Sequence, residues 1–176
     1  RTYQLQINNN YYLELYKENI ISINKKFTDM IKRIIIASGN DSNDSLIGLD
    51  HHLQNLSKMI DSYTLNNILK NKNSDNAVVV STGPSLYKQL PLLKKFQKYL
   101  TILSVDASLP ILQKEGIKPD FVFSMERVEA TAKFFENLDK ELLKDTLFIV
   151  SSVSHPQTIE NLKDMKIAIS QRPLGY

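Results

Sequence analysis

Four short apolar-rich runs and a weaker fifth constrain this chain most tightly. They are Ala77-Val78-Val79-Val80, Thr101-Ile102-Leu103-Ser104-Val105, Asp120-Phe121-Val122-Phe123, Thr146-Leu147-Phe148-Ile149-Val150 and Lys166-Ile167-Ala168-Ile169. The first is a β-branched run with no alternation, as expected of a strand buried on both faces, and the others read as further strands. Helix-like segments separate them, at roughly 85–98, 107–115, 128–143 and 156–164. Strands alternating with helices predict βαβ units, and hence a parallel sheet with helices on both faces. With right-handed crossovers the fold class is α/β, a Rossmann-like parallel sheet flanked by helices. Pro110 falls in the first turn of its helix, where a missing N–H costs little. Gly116, following Lys114-Glu115, predicts that helix's C-terminal cap.

Upstream the period changes. Leu49, Leu53, Leu56 and Ile60 recur at helical spacing, with His51, His52, Gln54 and Lys58 on other faces. Gly39-Asn40-Asp41-Ser42-Asn43-Asp44 is a loop by composition, and Asp44-Ser45 supplies capping side chains. The most polar break is Asn71-Lys72-Asn73-Ser74-Asp75-Asn76. The expected organisation is a helical lead-in over 1–75 and the sheet domain over 76–176.

Composition narrows the function classes. The 176 residues contain no cysteine, which excludes disulfides, thiolate metal sites and cysteine nucleophiles. A reducing, cytoplasmic setting fits that absence. No apolar run reaches the ~18 residues of a membrane helix, and Ile20-Ile21 is too short for a signal core. The net charge is only +3. Lys25-Lys26 and Lys94-Lys95 read as solvated helix faces, not as a nucleic-acid footprint.

In open parallel sheets, ligands bind outside the carboxyl ends of the strands, near the switch in strand order. Four turns qualify: Ser81-Thr82-Gly83-Pro84-Ser85, Asp106-Ala107-Ser108, Ser124-Met125-Glu126-Arg127 and Ser151-Ser152-Val153-Ser154-His155. In the first, Gly83 allows close backbone approach, Pro84 stiffens the turn and Ser85 can cap a helix whose free N–H groups suit a phosphate. It serves equally as a plain strand-to-helix turn, and it is neither a Walker A loop nor the three-glycine dinucleotide fingerprint. Asp106 can accept from ribose hydroxyls or can cap the following helix. Glu126 and Arg127 form a charged pair on the binding edge. His155 stands alone in the sheet region, and His51-His52 lacks a third metal ligand.

Taken in order, three stretches resemble the motility accessory factor family. They are Val80-Ser81-Thr82-Gly83-Pro84-Ser85-Leu86, Val105-Asp106-Ala107-Ser108 and Ile117-Lys118-Pro119-Asp120-Phe121-Val122-Phe123-Ser124-Met125-Glu126-Arg127-Val128-Glu129. These bacterial proteins are linked to flagellin glycosylation and proposed to transfer nonulosonic acids of the pseudaminic or legionaminic type. Ser38-Gly39-Asn40 and Asp44-Ser45-Leu46-Ile47-Gly48-Leu49 are similar to the lead-in of the family's central domain. The Gly-Pro-Ser-Leu turn is also similar to that of Rossmann-like bacterial sialyltransferases, near their donor CMP. The resemblance therefore implies a cytoplasmic glycosyltransferase needed for flagellar assembly and motility. Its donor would be a CMP-activated nonulosonic acid, its acceptor Ser or Thr of flagellin, and it would need no metal or further cofactor. Thr82, Gly83, Pro84, Ser85, Asp106, Ala107, Ser124 and Glu126 would hold the nucleotide-sugar, with Glu126 and His155 as candidate bases.

The Asp-Ala and Gly-Ile-Lys-Pro-Asp elements are similar, too, to archaeal 6-hydroxymethylpterin and thiamine diphosphokinases. That alternative needs clustered carboxylates for Mg²⁺, and only Asp106, Asp120 and Glu126 are at hand. Ser108 and Met125-Glu126 depart from its pattern. A non-catalytic module that binds flagellin or another partner is the third reading. Because motility accessory factors are much longer, the sheet is expected to be cut short at the C-terminus. The chain is accordingly expected to be inactive alone.

Overall fold

The computed structural model describes residues 10–38, 42–64 and 72–171, and the chain divides into two compact units, Arg1–Ser45 and Leu46–Tyr176. The first unit is helical: α1 (Asn10–Leu15) and α2 (Lys17–Ser38), followed by the start of α3 (Ser42–Ile60). Helix α3 begins at Ser42, so Asp44-Ser45 lies in its first turn and not ahead of it. Residues 39–41 of the expected loop lie outside the described residues. The polar break expected at 71–76 is a connection within the second unit.

That unit holds β1 (Ala77–Val80), β2 (Thr101–Val105), β3 (Phe121–Ser124), β4 (Leu147–Ser151) and β5 (Lys166–Ser170). All neighbours pair in parallel, in the order β1-β2-β3-β4-β5. Between them run α4 (Leu86–Phe96), α5 (Leu109–Lys114), a 3-10 segment with α6 (Lys140–Leu143), and α7 (Pro156–Asn161). The α/β Rossmann-like class thus stands, with every expected strand in place.

Two features differ from expectation, for one reason. Each strand pairs with the next in sequence, so the described sheet contains no switch in strand order. Right-handed crossovers that always step the same way put their helices on one face. The core shows this directly. Val80, Ile102, Val122, Phe148 and Val150 share a face and pack against Leu86, Leu90, Leu109, Phe135, Leu143 and Ile159 of the connecting segments. On the opposite face, Phe121, Leu147 and Ala168 cluster only with Leu103, Phe123 and Ile149, and no helix residue joins them. Helices on both faces are therefore not found among the described residues.

Local signals explain the element ends. Gly116 has φ +65°, the left-handed conformation that glycine adopts without strain. Its N–H bonds the Gln113 carbonyl, and that of Ile117 bonds the Leu112 carbonyl, both at 2.9 Å. This is a Schellman ending, closed by contact between the buried Leu112 and Ile117. Pro110 sits in the first turn of α5, as its missing N–H allows.

Helix α3 reverses the expected polarity. Its apolar stripe of Leu49, Leu53, Leu56 and Ile60 is exposed, whereas Gly48, His51 and Asn55 are buried. Those three follow helical spacing on another face, and that face meets the carboxyl end of the sheet.

Candidate functional site

The carboxyl ends of β1, β2, β3 and β4 carry the four anticipated turns along one edge. After β1, residues 81–85 are exposed. Leu86 N–H bonds the Gly83 carbonyl at 3.0 Å, which closes the turn into α4. Ser85 occupies the N-cap position of α4, yet its hydroxyl makes no capping bond, so the side-chain cap expected there is not formed. A Cβ placed on Gly83 would meet nothing within 4 Å among the described residues, and its φ is not positive. Neither packing nor backbone conformation thus requires glycine at this point. Beside the turn a cleft of about 450 Å³ runs along the outer side of β1, lined by Val78, Ser81, Gly83, Gln89, Leu92 and Phe96.

Asp106 starts a 3-10 turn, and Ser108, not Asp106, is the N-cap residue of α5. The capping role weighed for Asp106 is therefore absent. Its Oδ1 accepts from the Ala107 N–H at 2.7 Å, and its Oδ2 accepts from the Ser124 hydroxyl at 3.0 Å. Two residues assigned to the nucleotide by sequence thus bridge the ends of β2 and β3. Ser108 is fully buried, with its hydroxyl 2.9 Å from the Val80 and Val105 carbonyls and 2.8 Å from the Ser104 hydroxyl. A serine here staples the ends of β1 and β2, which accounts for its presence in the turn.

Beyond β3, Glu126 is exposed and Arg127 is half-buried. The Arg127 guanidinium lies against α3, where a Cβ on Gly48 would come within 2.9 Å of its Cζ. Beyond β4, α3 grips three successive carbonyls. Asn55 Nδ2 donates to the Ser152 and Ser154 carbonyls at 3.1 and 2.9 Å, and His51 Nδ1 lies 3.3 Å from the Val153 carbonyl. His155 caps α7, its Nδ1 accepting from the Gln157 N–H at 3.2 Å. The His51 and His155 rings meet edge to face, with centroids 5.0 Å apart. On the uncovered face, beside Phe123 and Met125, the buried Ser151 hydroxyl lines a cavity of about 300 Å³ and has no hydrogen-bond partner among the described residues.

Residues 50–175 match the family described as 6-hydroxymethylpterin diphosphokinase MptE-like. The chain belongs to that family. The match begins inside α3, in keeping with that helix's contacts to the MptE-like sheet. This is also the domain family of the motility accessory factors, the family that the three motif stretches resemble. Among solved structures, the MAf glycosyltransferase from Magnetospirillum magneticum AMB-1 is similar at 21% identity over 58% of this chain, with a TM-score of 0.48. The chain covers 16% of that protein's length. No curated protein sequence matches the chain.

Several charged groups of the MptE-like domain lie toward the amino ends of the strands. Asp120, at the amino end of β3, accepts the Ile102 N–H at 2.8 Å. Burial pushes its carboxyl above the usual aspartate range, partly offset by that N–H and by Lys118. The Lys140–Asp164 and Lys166–Asp145 pairs are solvent-exposed and of the kind that adds little stability. Sequence reasoning missed Gly48, His51 and Asn55 as site-forming residues. Their signal was present as a small and polar stripe at i, i+3 and i+7, opposite a more conspicuous leucine stripe.

Proposed function

We propose that the chain forms the donor-nucleotide end of a glycosyltransferase that moves a nonulosonic acid from a CMP-activated donor to Ser or Thr of flagellin. The observation that carries this reading is Gly83, a glycine demanded by neither packing nor φ, whose missing Cβ leaves open space at a strand's carboxyl end. Backbone approach by a phosphate or sugar uses that space, and the first N–H groups of α4 suit a departing anion. Asp106 and Ser124, already hydrogen-bonded, offer further polar atoms to ribose or base. Membership of the MptE-like family, together with the resemblance to motility accessory factors, supports a glycosyltransferase-like reading. The whole protein would act in the cytoplasm, in flagellar assembly. Among the described residues no helix is long and apolar enough to cross a membrane.

The family's description favours one second reading, a Mg²⁺-dependent diphosphokinase. Its carboxylates are poorly disposed for a shared ion, because Asp120 lies at the amino end of the sheet while Asp106 and Glu126 lie at the carboxyl end. Calorimetric titration of the whole protein with CMP, ATP and ATP plus Mg²⁺ separates the two. CMP binding without metal that Gly83→Val abolishes supports the transferase. Binding of ATP only with Mg²⁺ supports the kinase, and silence towards all three leaves a partner-binding module.

A further inference from the structure

We propose that His51 is the proton acceptor of this site, with His155 beside it as a neutral hydrogen-bond donor. The assignment rests on the glycosyl-transfer reading and adds the group which that reaction lacks. It starts from proton positions that the fold itself imposes. A carbonyl can only accept, so the contact with Val153 places the His51 proton on Nδ1 and leaves the lone pair on Nε2. That Nε2 has no hydrogen-bond partner among the described residues. A backbone N–H can only donate, so the contact with Gln157 requires His155 Nδ1 to be unprotonated. The neutral His155 ring therefore carries its proton on Nε2 and presents a donor. To take up a second proton it would have to give up the cap of α7, at about 1 kcal/mol. Of the two imidazoles, only His51 gains a proton without breaking a bond that the fold uses.

The surroundings agree with this division. His51 is only 8% exposed, and the Asn55 amide fixes the carbonyls on either side of its own partner. Four elements or turns face it. The β4 turn contributes His155 and neutral serines, and the β3 turn contributes the Arg127 guanidinium, one helical turn away against Gly48. On α3 itself, His52 is adjacent and Asp50 is bound to Gln54 at 2.6 Å. From α7, Gln157 is committed to the cap of that helix. No carboxylate is hydrogen-bonded to either histidine among the described residues, so the proton taken up stays on the ring until solvent removes it.

The step balances. The acceptor hydroxyl oxygen bonds to the anomeric carbon of the donor as the bond from that carbon to the phosphate oxygen breaks. The electron pair of that bond leaves with CMP. The hydroxyl proton passes to His51 Nε2, and the resulting imidazolium later returns it to water. His155 Nε2–H donates a hydrogen bond to an oxygen of the donor and is unchanged at the end.

The test uses the whole protein with His51→Asn, whose amide keeps an N–H for the Val153 carbonyl and removes Nε2. His51→Ala is assayed with and without added imidazole. For His51→Asn, unaltered thermal unfolding and CMP affinity are expected together with a transfer rate lower by about a hundredfold or more, and in His51→Ala added imidazole is expected to restore transfer. Transfer by His51→Asn at the parent rate overturns the assignment while leaving the glycosyltransferase reading intact. Absence of transfer by the unaltered protein overturns that reading and this assignment with it.

Discussion

At Gly83, space and backbone conformation can be separated from ligand binding, because the structure demands a glycine for neither reason. Gly83→Ala should leave thermal unfolding unchanged within about 0.5 kcal/mol, as for surface substitutions in general. The same change should weaken CMP binding about tenfold, equivalent to ~1.4 kcal/mol. A fall in stability with unchanged CMP affinity would make the turn architectural. Asp120 invites a different test, because burial raises its pKa in the fold above the ordinary aspartate range. For a group so raised, the stabilising contribution is full below the unfolded value and is lost as pH climbs through the folded one. Its charge therefore costs stability at neutral pH. Asp120→Asn keeps an oxygen for the Ile102 N–H, so it should match or exceed the parent in urea unfolding at pH 7. Its advantage should shrink as pH falls through the aspartate range; an advantage that grows on acidification contradicts the sign. At this scale the sequence located Asp106, Ser124 and Gly83 at the carboxyl edge of the sheet. It could not show that Asp106 and Ser124 bond to each other, since that bond depends on register between β2 and β3.

Among the elements, the strands were legible because short apolar-rich runs have few other solutions. The sides of the sheet were not, because strand order is a tertiary property that no single run encodes. Helix α3 shows where periodicity misleads. The leucine stripe marked a helix correctly, but the helix buries the face carrying Gly48, His51 and Asn55, whose hydrogen bonds and close contact hold two turns. Asn55→Ala should therefore destabilise the fold by about 1–3 kcal/mol, the usual cost of orphaning buried polar groups. Leu53→Gln, on the exposed stripe, should change stability by less than about 0.5 kcal/mol. Chemical denaturation of the two variants checks the contrast. Equal losses would mean that the leucine face is the one the fold buries.

For the molecule as a whole, the question is where the MptE-like unit starts. A polar break before β1 marks residue 76 in the sequence, whereas the compact unit begins at Leu46 and the family match at residue 50. Hydrogen bonding favours the earlier start. Without α3, the carbonyls of Ser152 and Ser154 lose the Asn55 amide and that of Val153 loses His51. These groups sit in a turn whose serines at 151, 152 and 154 are all buried, so water cannot readily replace the lost donors. Tyr63, beyond α3, also donates its N–H to the Ile167 carbonyl at 2.9 Å and so adds pairing at the β5 edge. A chain beginning at Leu46 should accordingly unfold in one cooperative step. One beginning at Asn76 should be less stable by several kcal/mol, with early hydrogen exchange at Ser152 and Ser154. Urea titration of the two chains, followed by exchange at those amides, decides the matter. Equal midpoints would make the lead-in dispensable to the sheet, and would also remove the scaffold on which the His51 assignment depends.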